Sequence, residues 1–411
     1  MLNRCQLNRG PYKLTITVVV TTALLLPGYS FAEKWLLSPN ITLEERYDDN
    51  IRLTTGPHDA VTGTILKGSL GFSRLTENSD VTGRLRLDLS NYSGDDELSK
   101  ELSKNNKNLD LLLSSFSKTE LTRWGFDGSF KSDTTLRNID NTEDLGEELP
   151  DPDAGIVTVD IRRNALRLSP SLGYKFSERT GLNIGYSYLD VRYEDNPTGS
   201  GLFDYDENSI SAGMSHGLTE RDTINANLGF SSFQSPDNAN NQADTYNLTV
   251  GFRRAFSEIM YGSIDIGVNY TEQKSDVYSL DSSGYILRLK LNRKTEQKRF
   301  NLNIKHDLAP SGTGYLTETS QLNLSVIHHF SKRLSGSLFT RYTYRDRVNS
   351  QLENVNRYFS IRPRLSWKLD RWWTVAGGYQ YRSNDSEGSG EKADSNAVFL
   401  SLTHNKPVTF D

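Results

Sequence analysis

Basic side chains recur on one parity of alternating segments: Arg84 and Arg86, Arg288 and Lys290, Arg299 and Lys305, Arg341 and Arg345, Arg362 and Arg364, and Arg382. Polar residues share that parity, and apolar residues hold the positions between. Cations set out in this way can steer anions, because a wet passage lined by one sign of charge lowers the entry barrier for the other. They can equally pair with acids such as Asp88, Asp265 and Glu318 and hold a polar interior in shape. Both readings begin from the same inward placement.

The six histidines, His58, His216, His306, His328, His329 and His404, form no His-x-x-x-His pair and no Glu-flanked helical motif for zinc. Phosphate-binding and dinucleotide-binding glycine loops are absent. The acid pairs Asp48-Asp49, Asp95-Asp96 and Glu147-Glu148 fall in expected loops or strand ends, where they read as solvated charge. No catalytic residue, cofactor, metal site or nucleic-acid partner is expected. A hydrolase remains an alternative, since a site assembled from separate strands leaves no local motif; its mark is a tight cluster of Ser, His and Asp or Glu at a rim.

The elements that position the basic residues are strands. Phe359, Ile361, Leu365, Trp367 and Leu369 share one parity, while Ser360, Arg362, Arg364, Ser366 and Lys368 share the other. After a turn at Asp370-Arg371 the pattern resumes through Trp373, Val375, Gly377, Tyr379 and Tyr381. Period two across a tight turn is an antiparallel hairpin. In a soluble sandwich the apolar face would meet a second sheet; in a membrane barrel it meets lipid.

The same alternation continues from Trp35 to Leu402 and predicts an all-β chain. Short turns, such as Ser177–Thr180, Ser331–Arg333 and Asp370-Arg371, alternate with long polar loops over 93–107, 138–155, 196–204, 235–244 and 384–394. Short connections on one side and long ones on the other belong to a transmembrane antiparallel up-and-down β-barrel of about 18 strands, or about 16, with short periplasmic turns and long extracellular loops. Aromatic residues support it. Phe176, Phe252, Phe330, Trp367, Trp372 and Trp373 lie near the short turns, and Tyr188, Tyr270, Tyr342, Tyr344 and Tyr381 lie toward the long loops. These are the positions of interfacial girdles. Two features sit awkwardly: Pro363 cannot donate to a ladder, and residues 405–411 overshoot the last strand, so that Phe399 and Leu402 rather than Phe410 are expected to close it.

The N-terminus reads as a secretory leader over residues 1–32. Arg4, Arg9 and Lys13 precede the apolar run Leu14–Leu26, and Ser30-Phe31-Ala32 offers small residues for cleavage. The barrel then occupies 33–411. Cys5 is the only cysteine of the 411 residues and falls inside the leader, which excludes disulfides and thiol chemistry from the remainder. With 35% hydrophobic and 24% charged residues, a net charge of −5 and no long apolar run beyond the leader, only a barrel could cross a membrane. The acids Asp140, Glu143, Asp144, Glu147, Glu148, Asp151 and Asp153 crowd one long loop, where they can bind cations shared with lipopolysaccharide, fold over a basic lumen, or simply be solvated.

The run from Ser38 to Ile51, with its Ser-Pro opening and its corner Tyr47-Asp48-Asp49-Asn50, resembles the start of an outer-membrane β-barrel porin family associated with exopolysaccharide and capsule biosynthesis and export. The resemblance implies a bacterial outer-membrane channel that exports an anionic exopolysaccharide or capsular polysaccharide. Its partners would be outer-membrane lipid and lipopolysaccharide, the polysaccharide itself and a periplasmic polysaccharide export protein. A loop-plugged barrel that serves as a structural or docking element is the alternative.

Overall fold

A computed structural model describes residues 34–410 except 57, 94–99, 101, 103–105, 137–159, 195–199, 277–278, 348–354 and 387–390. The leader and the acidic loop residues 140–153 lie outside the described residues. The strands are β1 (Lys34–Asp48), β2 (Val61–Leu75), β3 (Ser79–Ser93), β4 (Lys107–Lys118), β5 (Thr122–Thr134) and β6 (Arg162–Lys175). They continue through β7 (Thr180–Tyr193), β8 (Tyr205–Gly217), β9 (Asp222–Ser235), β10 (Asn241–Ser257), β11 (Met260–Lys274) and β12 (Ser279–Lys294). The last are β13 (Lys298–Pro310), β14 (Leu316–His329), β15 (Leu334–Arg347), β16 (Asn356–Lys368), β17 (Trp373–Ser386), β18 (Glu391–Asn405) and the short β19 (Val408–Phe410).

Each long strand pairs antiparallel with its neighbours in sequence, and β1 pairs with β18, so the sheet closes into a barrel of 18 strands with one extra. Closure removes the sheet edges that would otherwise present unpaired backbone. In lipid that closure is obligatory, because no water is present to satisfy free N–H and C=O groups. No described helix is long and apolar enough to cross a membrane. The strands do the crossing.

Alternation assigns the two faces. Ile41, Leu43, Leu85, Leu87, Leu228, Val250, Ile266, Leu365 and Leu400 point outward and are exposed, whereas Glu44, Arg46, Asp88, Thr249, Arg362 and Ser401 point inward and are buried. Outward aromatics gather at both ends: Trp124, Phe176, Phe330 and Trp367 near the short turns, and Tyr246, Tyr270, Tyr285 and Tyr342 toward the long loops. A closed barrel wrapped in an apolar band with aromatic ends is built for a bilayer and places the chain in the bacterial outer membrane.

Seven short turns share one device. Thr76, Thr119, Ser177, Thr219, Thr295, Ser331 and Asp370 each use a side-chain oxygen to accept a backbone N–H two or three residues on. A side chain that mimics a turn bond fixes the hairpin locally. The register of the next strand follows from it.

Two expectations at the C-terminal end need correction. Phe399 is buried, facing inward, and cannot be a lipid-side closing aromatic. Instead the chain breaks at Lys406-Pro407 and resumes as β19, which pairs Phe410 with Trp35 and Val408 with Leu37. Pro363 is accommodated as a gap: the β16–β17 ladder passes from Ile361–Tyr381 to Arg364–Gly378 without pairing the residues between. Gly378 makes room there, since a Cβ would lie 2.4 Å from the Phe399 ring and 2.7 Å from the Pro363 carbonyl oxygen.

Candidate conduction path

The inner wall has two chemistries. From β12 round through the closing seam to β3 basic residues predominate, several of them paired with acids, and from β7 to β11 the wall is mostly small and uncharged apart from Glu207, Arg253 and Asp265. Every cation predicted from the sequence falls on the inward parity. Arg84 and Arg86 alternate with the exposed Leu85 and Leu87. Arg288 lies opposite Lys305, and Lys290 opposite Asn303. Arg299 is the partner of Lys294 near the short-turn end. Across β15 and β16, Arg341 faces Ser360 and Arg345 faces Asn356, with Arg362 and Arg364 beside them.

Their surroundings differ. Arg382 is fully enclosed: its guanidinium donates to Asp48 Oδ2 at 2.7 Å and to Ser395 Oγ at 2.8 Å. Arg46 joins the same carboxylate at 3.1 Å and donates to Gln380 Oε1 at 2.9 Å. That cluster belongs to the wall. Arg86 meets Asp88 at 3.1 Å, and Arg288 and Lys305 converge on Asp307. Arg341 donates to Asn323, and Arg362 lies 4.3 Å above the Phe399 ring, a cation–π contact. Lys290 and Arg299 are exposed on the inner face, and no described carboxylate pairs with either. Of the acids expected as partners, Asp88 takes that role. Asp265 accepts from Asn225 at 3.0 Å, and Glu318 lies on the opposite parity, next to Gly284.

The neutral wall carries Ser, Thr, Asn and Gly on its inward parity. Thr245 and Thr271 share a hydrogen bond of 2.9 Å, Asn227 reaches Thr249, and Asn247 and Asn269 face each other across the β10–β11 ladder. Charges of the two walls approach one another toward the outer end. Glu207 of β8 interacts electrostatically with Arg167 of β6 and with Lys305 and Asp307 of β13. Charged groups on strands five apart around the ring therefore come within electrostatic reach of one another across the lumen.

The outer mouth was not legible as a closed structure. Ile161, Leu189, Val191, Tyr193, Leu202, Tyr205, Phe233, Ala243 and Leu316 form one buried apolar cluster. Smaller ones join Leu53 to Tyr358 and Ala393, and Ile51 to Val61, Leu102 and Leu136. The tip between β13 and β14, Ser311–Gly314, is buried throughout. It is held by the Phe203 N–H donating to Gly312 O at 2.7 Å and by Asn238 Nδ2 donating to Gly314 O at 3.2 Å. Gly314 takes φ +77, and a Cβ there would lie 2.6 Å from Asn238. A signal for the receiving patch existed. Near the end of β7 the parities exchange character, with Leu189 and Val191 inward and Asp190 and Arg192 outward.

Neither Ser–His arrangement among the described residues has the geometry of a hydrolytic site. Gly213-Met214-Ser215-His216-Gly217 has the letters of a nucleophile elbow, yet it lies within β8 with Ser215 paired to Gly181 and Asn225, not on a strand-to-helix turn. Ser320 and His306 are 2.8 Å apart, but on the outward face, with the imidazole stacked on Tyr285.

A family model described as Putative beta-barrel porin 2 matches residues 224–406, from β9 to just beyond β18. Among solved structures, the chain is similar to the outer membrane protein opdK from Pseudomonas aeruginosa, at 10% identity over 93% of this chain and 100% of that chain, with a TM-score of 0.45. It is also similar to Acinetobacter baumannii OccAB4, at 10% identity over 93% of this chain and 100% of that chain, with a TM-score of 0.47. A BenF-like porin from Pseudomonas fluorescens Pf-5 matches at 10% identity over the same shares, with a TM-score of 0.48. No curated protein matches the chain.

Proposed function

We propose that the barrel is an outer-membrane channel for anionic, hydroxyl-rich solutes, and that its task is the export of an acidic exopolysaccharide or capsular polysaccharide. The observation that carries this reading is the division of the inner wall. A basic arc that includes Lys290, Arg299, Arg341, Arg362 and Arg364 faces a neutral arc of Ser, Thr and Asn side chains. Carboxylates of an acidic saccharide would run along the first, and its hydroxyls would exchange hydrogen bonds with the second. The resemblance of residues 38–51 points in the same direction, and the porin family model over 224–406 supports the channel alone. A periplasmic export protein would deliver the chain at the short-turn end.

The test is planar-bilayer recording of the refolded barrel under a salt gradient, with and without an acidic oligosaccharide. An anion-selective current that the sugar blocks, weakened when Arg341, Arg362 and Arg364 are changed to Gln, supports the proposal. A current that ignores both the sugar and the substitutions overturns it.

A second reading has its own observation. The buried clusters across the outer mouth favour a plugged barrel that acts as a docking element. Silence that persists after the tip 311–315 is shortened would favour that reading.

A further inference from the structure

The β12–β13 ladder is incomplete. It runs from Lys294–Arg299 to Leu287–His306 and stops, although β12 continues to Ser279 and β13 to Pro310. Above the fork, Ser279–Ile286 pair with β11 on one side only, while Asp307–Pro310 stay with β14. The hairpin has left the wall and crosses the mouth. Glu318, on what should be its outward face, lies 3.4 Å from the Cβ position of Gly284 on the inner surface of β12. Leu316 packs with Tyr205 and Phe233 on the far wall.

The fork is clamped on both faces. Outside, His306 stacks on Tyr285 at 4.0 Å; inside, Arg288 pairs with Asp307. Just beyond, the Leu308 N–H donates to Asp307 Oδ1 at 3.0 Å, a local bond in the region where the ladder has ended.

The hairpin sequence also suits a different position. Leu308, Pro310 and Leu316 share the outward parity with Glu318, and Asp307, Ala309, Thr317 and Thr319 hold the inward one, an alternation that suits a wall strand pair whose one outward carboxylate lies near the outer rim. Returned to the wall, the ladder would extend through Ile286–Asp307, Tyr285–Leu308 and Gly284–Ala309, giving the free β12 edge its missing partners. Each position therefore satisfies what the other leaves open. Tucked in, Leu316 is buried and the tip is held by Asn238, Asn241 and Phe203; zipped up, backbone groups that are costly to leave unpaired at a membrane edge are satisfied. Two seats for one packed element make a switch.

We propose that the β13–β14 hairpin is the gate of this barrel, closed when its tip seats on the apolar patch of β7–β10 and open when β13 zips onto the upper edge of β12. The gate rests on the reading of the barrel as a channel, but not on its preference for anions.

Two cysteine pairs test it, each in a Cys5→Ser background, Cys5 being the only native cysteine. Gly284→Cys with Ala309→Cys faces partners in the zipped ladder, where opposed Cα atoms about 4.5–5.5 Å apart suit a disulfide. Phe203→Cys with Gly312→Cys spans the tucked contact. Oxidising the first pair should lock the current on, and oxidising the second should lock it off, each reversed by reductant. Asn238→Ala, which needs no cross-link and little refolding tolerance, should raise open probability up to about tenfold through its lost hydrogen bonds to the tip. The gate is overturned if the 284–309 disulfide forms without changing current, if only the 203–312 pair cross-links, or if Asn238→Ala leaves open probability unchanged. Gating as described with no ion preference would sink the anionic solute and keep the gate. A steady anion-selective current indifferent to both disulfides would do the reverse.

Discussion

Asp48 on the first strand and Arg382 on the seventeenth lie 2.7 Å apart although they are 334 positions apart in sequence. Around this pair the corner Tyr47-Asp48-Asp49-Asn50 acquires its physical sense. Asp48 Oδ1 also accepts from Ser395 Oγ at 2.8 Å, Asp49 accepts the backbone N–H of Asn396, and Asn50 Nδ2 donates to the Asp394 carbonyl at 3.0 Å. The corner stitches β1 to the last strands at the outer rim. It is a closure device, built where the first strand to be made meets the last.

Removal of Asp48 leaves Arg382 and Arg46 buried without their shared carboxylate. Breaking a buried ion pair by deleting one partner costs about 3–5 kcal/mol, so Asp48→Ala should lower the urea midpoint of the folded barrel substantially. Asp49 sits on the exposed side of the same corner, and Asp49→Ala should cost about 1 kcal/mol. Equal losses in the two variants would show that the seam does not depend on the buried pair.

Lys290 offers the cleanest test of the basic arc, because it is exposed on the inner face and is not part of the seam. A unit charge about 4 Å from a passing ion in water is worth about 1 kcal/mol. Lys290→Glu should therefore reduce the anion-to-cation permeability ratio about fivefold at low salt. The effect should shrink as the Debye length falls to about 3 Å at 1 M salt. A salt-independent change would point to altered shape instead of field.

Asp370 sits in a short turn outside the membrane span, where the backbone N–H groups of Trp372 and Trp373 donate to its carboxylate at 2.6 and 2.8 Å. Those bonds hold its pKa below the usual carboxylate value. A depressed folded-state pKa contributes stability that is fully present above the unfolded pKa and is lost as pH falls through the folded one. Wild type should exceed Asp370→Asn in stability at neutral pH, and the two should converge in acid. A gap that widened on acidification would reverse the sign and refute the assignment.

The strand count, the inward parity of the cations and the alternation of short and long connections were legible because period two reports each strand separately. The tucked hairpin was not, for a physical reason. Leu308, Pro310 and Leu316 are apolar on the outward parity whether they face lipid or the apolar patch inside the mouth, so local pattern cannot tell the two seats apart. What separates them is the β12–β13 register and the hold of Asn238, both of which depend on residues distant in sequence. Asn238 itself reads as an ordinary loop residue. The exchange of parities at Leu189 and Val191 was the available clue, and it marks where the wall turns from lining water to receiving another element.

The C-terminal tail provides the last test. β19 continues the partner of β1 beyond the break at Lys406-Pro407, pairing Trp35 with Phe410, Leu36 with Thr409 and Leu37 with Val408. A chain ending at Asn405 would leave that edge of β1 unpaired at the short-turn end, where each unsatisfied backbone group in lipid costs several kcal/mol. Truncation should therefore lower the fraction of heat-modifiable, folded barrel recovered in vesicles. Phe410→Ala, which keeps the backbone ladder to Trp35 and removes only the aromatic side chain, should lower it less. If truncation left the folded fraction unchanged, β18 alone would be sufficient to close the barrel, and the tail pairing would contribute nothing to assembly.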